Sequence, residues 1–171
     1  CDLQAEPGRF ASVTPGLLFD NGFVSVDETG ELSVRAACRE DNATHAVDFE
    51  FDAKATTPLF DNFLHEVMEG TDREEKIRFA WEFIGCALLR AATRMQKAVF
   101  IVGGGANGKS TLIDILISLF PAGSVTSIAP QDFASEYRLA FLRSALLNAV
   151  NEAPDSEIAA SATFKSTITG D

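Results

Sequence analysis

Ala98-Val99-Phe100-Ile101-Val102-Gly103-Gly104-Gly105-Ala106-Asn107-Gly108-Lys109-Ser110-Thr111-Leu112 is the stretch on which the reading of this chain turns. Residues 98–102 form a continuous apolar run, the pattern of a strand buried on both faces of a parallel sheet. Gly103 to Ser110 fit G-x-x-x-x-G-K-[ST], the phosphate-binding loop of nucleoside triphosphatases. Glycines let the backbone curl so that successive N–H groups face anionic oxygens. A lysine at position 109 puts a cation on β- and γ-phosphates, and the Ser110 hydroxyl can ligate Mg²⁺. Leu112, Ile115, Leu116 and Leu119 then share one helical face, and Pro121 closes the segment. Strand, loop and helix are the context the motif needs, and a helix N-terminus adds its positive dipole end. Gly103, Gly104, Gly105, Ala106, Asn107, Gly108, Lys109, Ser110 and Thr111 are the expected nucleotide-binding residues.

Downstream, 124–130 reads as a connector, and Phe133 to Arg143 has helical character, with Phe133, Tyr137 and Phe141 four apart. Ala145 to Val150 reads as a second, largely buried strand ending in Asn151-Glu152. A triphosphatase needs an acid at the end of a neighbouring strand, to hold Mg²⁺ and to polarise the attacking water. Glu152 occupies that place in the sequence and is the expected catalytic and metal-side carboxylate, with Lys109 as its catalytic partner.

Upstream, the spacing predicts two helices. Pro58 to Met68 carries Leu59, Phe60, Phe63, Leu64 and Val67 on one side, with Gly70 as a stop. The next opens on Thr71-Asp72-Arg73-Glu74, which reads as a capping box, and continues through Ile77, Trp81, Ile84 and Leu88. That helical spacing makes Trp81 and the phenylalanines core residues rather than base-stacking surfaces. Earlier still, Phe23 to Val26, Asp27-Glu28-Thr29-Gly30 and Glu31 to Val34 read as a β-hairpin. Ala46 to Phe51 alternates apolar and acidic residues, as a half-buried strand does, while residues 1–20 are poorly patterned.

The division expected is therefore a β-rich segment over 1–57, a helical module over 58–95 and a nucleotide-binding core over 96–171. The fold class is α/β: a partial phosphate-loop NTPase core with a parallel sheet, preceded by a hairpin and a small helical module. The chain begins at Cys1 without methionine and stops at Asp171 inside a motif-like stretch, so a piece of a larger protein is expected. At 171 residues it can bury a substantial core. No apolar run reaches spanning length and no signal-peptide pattern is present, so neither a membrane partner nor export is expected. Cys1, Cys38 and Cys86 form no C-x-x-C and have no histidine at ligand spacing, which points to reduced thiols in the cytoplasm rather than zinc or disulfides. His45 and His65 are likewise isolated. Residues 1–75 hold 5 Lys/Arg against 17 Asp/Glu, a net of −12; residues 76–171 hold 9 against 8, a net of +1. The front half should repel a phosphate backbone, leaving any nucleic-acid contact to the back half.

Asn21 to Val26 with Thr29 to Leu32, Pro58 to Arg94 with Gly85 in the second helix, Gly105 to Leu112 with Asn107 ahead of Gly-Lys-Ser, Asn148 to Glu152, and Phe164 to Asp171 follow one another in a recognisable order. Together they resemble the helicase part of phage- and poxvirus-type primase–helicases, in helicase superfamily 3 of the AAA+ class. The resemblance covers nearly the whole chain. It implies an ATP- and Mg²⁺-dependent motor that assembles with itself as a ring, commonly a hexamer. Such a motor translocates on single-stranded DNA in replication, with a primase fused or bound, in the cytoplasm of a bacterial host if phage-encoded. By position, Lys109 would contact the β/γ-phosphates, Ser110 and Glu152 would hold Mg²⁺, and Glu152 would activate water. Phe164 to Asp171 would lead toward a DNA-facing hairpin, with Lys165 on that side.

Two departures from the family pattern stand out. Asn151 occupies a place where many related ATPases carry Asp, so Mg²⁺ falls to Glu152 and Ser110, or draws on Asp155. The chain also stops before the family's polar sensor and arginine finger, and neither Arg138 nor Arg143 matches that finger. Such a finger contributes on the order of 10³ or more in related triphosphatases, so weak binding and slow hydrolysis are expected of this piece alone. Two other classes use the same loop: a small-molecule or nucleoside kinase, and an assembly module that binds nucleotide without catalysis. A kinase lacks its arginine-bearing lid between Pro121 and Pro130, and no N-K-x-D element for guanine is present.

Overall fold

The structure is a computed structural model that describes residues 15–27, 29–91, 95–105, 107–151 and 161–169. The chain is mixed α/β and falls into two compact units, Cys1–Phe51 and Asp52–Asp171.

The first unit is built on an antiparallel three-stranded sheet, β1 (Gly16–Phe19), β2 (Gly22–Val26) and β3 (Leu32–Arg35), in the order β1-β2-β3. The expected hairpin is the β2–β3 pair, with Phe23 opposite Arg35 and Val26 opposite Leu32. Gly30 at φ +89° and the Asp27 carboxylate make its turn: Asp27 Oδ1 accepts from Thr29 N, Thr29 Oγ1 and Glu31 N. β1 is an addition to the sequence reading. Phe19 pairs with Gly22 across Asp20-Asn21, and Asn-Gly between apolar runs is a short-range hairpin signal. Leu17, Phe23 and Val24 are buried here.

Ala46 to Phe51 is not the expected strand. It makes a single parallel bridge, Leu18 to Ala46, and is otherwise tied to β1 and the turn that follows it by separate bonds. Val47 N donates to Leu18 O, Asp20 N donates to Phe49 O, and the Asn21 carboxamide exchanges two bonds with the Phe51 backbone. Side-chain capture by Asn21 replaces ladder pairing, and the edges of Phe49 and Phe51 pack on Phe19. Asp41, only 1% exposed, accepts from the Arg35 guanidinium and from Cys38 N.

In the second unit, α1 (Pro58–Val67) and α2 (Arg73–Leu88) form the expected helical pair. Leu64, Ile84 and Ala87 are buried, whereas Trp81 and Phe79, expected in the core, are exposed; Trp81 stands edge-to-face with Phe60, ring centroids 5.2 Å apart. Leu59 departs from the expected face and is 86% exposed, being in the first turn before the helix meets its neighbour. The capping box at Thr71–Glu74 does not form. The N-cap is Asp72, whose carboxylate pairs with Lys76 at 2.9 Å, while Glu74 Oε1 lies 3.6 Å from His65 Nδ1. Lys76 and His65 stand beside these two acids, and no side-chain cap bond forms at the start of α2.

After the glycine-rich loop come α3 (Lys109–Ser118), β4 (Val125–Thr126), a 3-10 turn (Pro130–Ala134), α4 (Glu136–Leu142), β5 (Leu147–Asn148) and α5 (Ala162–Thr169). β4 and β5 pair in parallel over two residues, Val125 with Leu147 and Thr126 with Asn148. The Asn148 carboxamide lengthens that grip by bonding Thr126 Oγ1, Ile128 N and Ile128 O. Ile128, Phe133 and Phe164 form a core cluster, with Leu139, Leu142 and Ile168 against it. Ser135 separates the 3-10 turn from α4, so Phe133 is buried while Tyr137 and Phe141 are exposed.

The sharpest departure is at 98–102. This run is not a strand, and Val99, Phe100, Ile101 and Val102 are all exposed, Val102 at 90%. A strand buried on both faces needs ladder partners. Among the described residues β4 and β5 pair with each other, and none pairs with 98–102.

Candidate nucleotide-binding loop

Gly108 fixes the loop. It sits at φ +81°, ψ 1°, a left-handed conformation that glycine adopts without steric cost, and it is the N-cap of α3. It also has no room for a side chain: a Cβ there would stand 2.6 Å from Val67 Cγ1 and 3.7 Å from Phe63. The end of α1 is thus seated directly on the start of α3. Leu112, one turn on and 3% exposed, donates its N–H to Gly108 O and anchors the helix.

Lys109, half-buried, folds back over the loop that precedes it. Its Nζ donates to Gly103 O at 3.1 Å, to Gly104 O at 2.5 Å and to Asn107 Oδ1 at 2.6 Å. The Asn107 amide nitrogen in turn lies where a Cβ on Gly103 would have to go. One ammonium therefore closes a ring of carbonyl oxygens, while the first-turn N–H groups of α3 have no intrahelical acceptors. A cation beside such amides is the chemistry of an anion site.

The loop opens on a cavity of about 230 Å³. Gly103, Gly104, Asn107, Gly108 and Lys109 line it, so these expected residues are brought together. Gly105, Ser110 and Thr111 are exposed nearby in the chain and do not line it; Ala106 lies outside the described residues. Val67, Met68, Glu69 and Lys76 add a part of the wall that the sequence reading did not anticipate. The one cue to it was Gly70, the helix stop beside them, which carries φ +105°.

Among the described residues, the other candidates do not line this cavity. Glu152 and Asp155 lie outside the described residues; Asn151 is exposed just after β5. Arg138 is paired with Asp132 at 2.8 Å. Lys165 is exposed on α5, next to the buried Phe164. Cys38 and Cys86 are free thiols. Among the described residues no helix is long and apolar enough to cross a membrane.

The class these observations define is a mixed α/β chain with a lysine-closed glycine loop capping a helix. Residues 101–171, less than half of the chain, match a family of unknown function, DUF5906. The match begins just ahead of the glycine-rich loop and takes in everything after it. No curated protein matches the chain.

Proposed function

We propose that this chain is the nucleotide-binding part of an ATP-driven DNA helicase or translocase of superfamily 3, working as a cytoplasmic ring. The observation that carries the reading is Lys109, held over Gly103, Gly104 and Asn107 at the start of α3 and facing a cavity. On this reading the ammonium exchanges its three loop oxygens for the β- and γ-phosphate oxygens of ATP. The exchange replaces neutral acceptors by charged ones, which make the stronger hydrogen bonds. The first-turn amides of α3 take further phosphate oxygens.

Ser110, exposed in that first turn, offers the hard oxygen that Mg²⁺ prefers, and Glu152 would be its acidic companion. The ion, when bound, neutralises charge developing on the phosphates. Glu152 would also orient and deprotonate the attacking water. Single-stranded DNA would contact residues 76–171, net +1, with Lys165 as a candidate, because residues 1–75, net −12, repel phosphate.

The test is ATP turnover by the full-length protein with and without single-stranded DNA, repeated with Lys109→Ala. DNA-stimulated turnover that the substitution lowers by about 10² or more supports the motor. Phosphate transfer to a small acceptor would replace it with the kinase reading. Nucleotide binding without turnover in the full-length protein would leave an assembly module.

A further inference from the structure

We infer that the turn between α1 and α2, Val67-Met68-Glu69, is the nucleoside-facing wall of the site. The inference rests on the loop of 103–109 being a triphosphate site, and adds what holds the other end of the ligand. The cavity is shared: the glycine loop and Lys109 supply polar and cationic lining with the apolar Ile101, Val102 and Leu112 beside them, and the rest of the lining is Val67, Met68 and Glu69 with Lys76. Both side chains are half-buried, so each rests on the fold and keeps a face toward the cavity. An apolar floor beside a phosphate cradle suits the flat face of a base, and the thioether of methionine adapts to it.

The turn is also stiff. Arg73 Nε donates to Met68 O at 2.7 Å, Lys76 Nζ donates to Glu69 O at 2.8 Å, and Met68 N donates to Leu64 O at 2.9 Å. Val67 bears on Gly108 with no space between them, so wall and cradle move together. Charge sets the direction of the ligand. Glu69 repels phosphate but can accept from ribose hydroxyls, and Lys76 is paired with Asp72 and bonded to Glu69 O. The triphosphate therefore goes to Lys109 and the sugar and base to the turn.

Calorimetric titration of the chain with ATP and with inorganic tripolyphosphate separates the two halves. The wild type should bind ATP more tightly than tripolyphosphate. Met68→Ala should weaken ATP about five- to tenfold and leave tripolyphosphate unchanged, with Met68→Leu restoring ATP. Glu69 is exposed and its replacement does not threaten the fold. Glu69→Ala should narrow the preference for ATP over 2′,3′-dideoxy-ATP. Equal affinities of the wild type for ATP and tripolyphosphate would overturn the inference. So would a parallel loss of both ligands in Met68→Ala, or an unchanged ATP affinity in both variants. Failure of the wild type to bind tripolyphosphate at all would instead overturn the phosphate-loop reading itself.

Discussion

The glycine-containing turns before β3 and before α3 are each closed by a charged side chain, and the sign of the charge separates them. In the hairpin turn after β2, the Asp27 carboxylate gathers N–H groups: Thr29 N, Glu31 N and the Thr29 hydroxyl. In the loop before α3, the Lys109 ammonium gathers carbonyls: Gly103 O, Gly104 O and the Asn107 side chain. A turn closed by a carboxylate has used its donors and shows negative charge outward. A turn closed by an ammonium has used acceptors, leaving donors and a cation for an incoming anion. The acidic first half repeats the first device at Asp41, which takes Arg35 and Cys38 N. Backbone freedom is common to both turns, Gly30 at φ +89° and Gly108 at φ +81°, so the glycines do not distinguish them.

The strongest way to break the comparison is Gly108→Ala. A Cβ at φ +81° is strained, and here it also meets Val67 at 2.6 Å. Together these should cost roughly 2–3 kcal/mol of stability, read from chemical denaturation. Nucleotide affinity should fall too, because the end of α1 is pushed off the loop. Gly30→Ala meets nothing within 4 Å, so it should show the conformational cost alone. Equal losses at the two glycines would mean that Val67 contributes nothing to holding the loop.

Much of this was legible in the sequence, where the signal is local. The β2–β3 turn follows from Asp27 and Gly30, and α1 follows from Pro58 at its start and Gly70 past its end. That Lys109 belongs to the loop was readable because its hydrogen bonds reach only residues within six positions. The misreadings occurred where a distant or competing partner decides. Thr71 and Glu74 have the right spacing for a capping box, but Lys76 and His65 stand beside Asp72 and Glu74. Residues 98–102 have a buried strand's composition, yet a strand requires neighbours that local pattern does not supply. The Val67–Met68–Glu69 wall had only Gly70 as a local cue for the same reason: it depends on α1 ending on Gly108, 41 residues from Val67 in the chain.

Acid sharpens the comparison from the carboxylate side. The Arg35 guanidinium, and behind it Cys38 N, hold the Asp41 carboxyl at about 2, below its ordinary 3.8, against the opposing effect of burial. A carboxyl depressed by folding stabilises above its ordinary value and loses that contribution as pH falls through the folded one. The loss therefore develops from about pH 4 down to about pH 2. Arg35 is 41% exposed, so solvent screening reduces the contribution to roughly 1–2 kcal/mol. Denaturation followed across that range should show the decline in the wild type. Asp41→Asn should be less stable at pH 7 and should decline less steeply than the wild type between pH 4 and 2. Identical profiles for the two proteins would remove Asp41 from the account of acid sensitivity.

The smallest effect belongs to Asp27. Its carboxyl is lowered by the Thr29 hydroxyl first and the Glu31 amide next, but it is fully exposed, and water competes for every bond it makes. The turn has independent supports: Gly30 supplies the left-handed residue, Gly30 N donates to Asp27 O, and Asp27 N donates to Glu31 O. Asp27→Ala should thus lower the melting temperature by about 2 °C or less. Asp27→Asn, which keeps an acceptor and removes the charge, should lower it less still. Neither should alter nucleotide affinity, in contrast to Lys109→Ala, which removes the closing charge of the other turn. A change in ATP binding in either Asp27 variant would mean that carboxylates of the first half act on the loop at a distance, and the separation by sign of charge would fail.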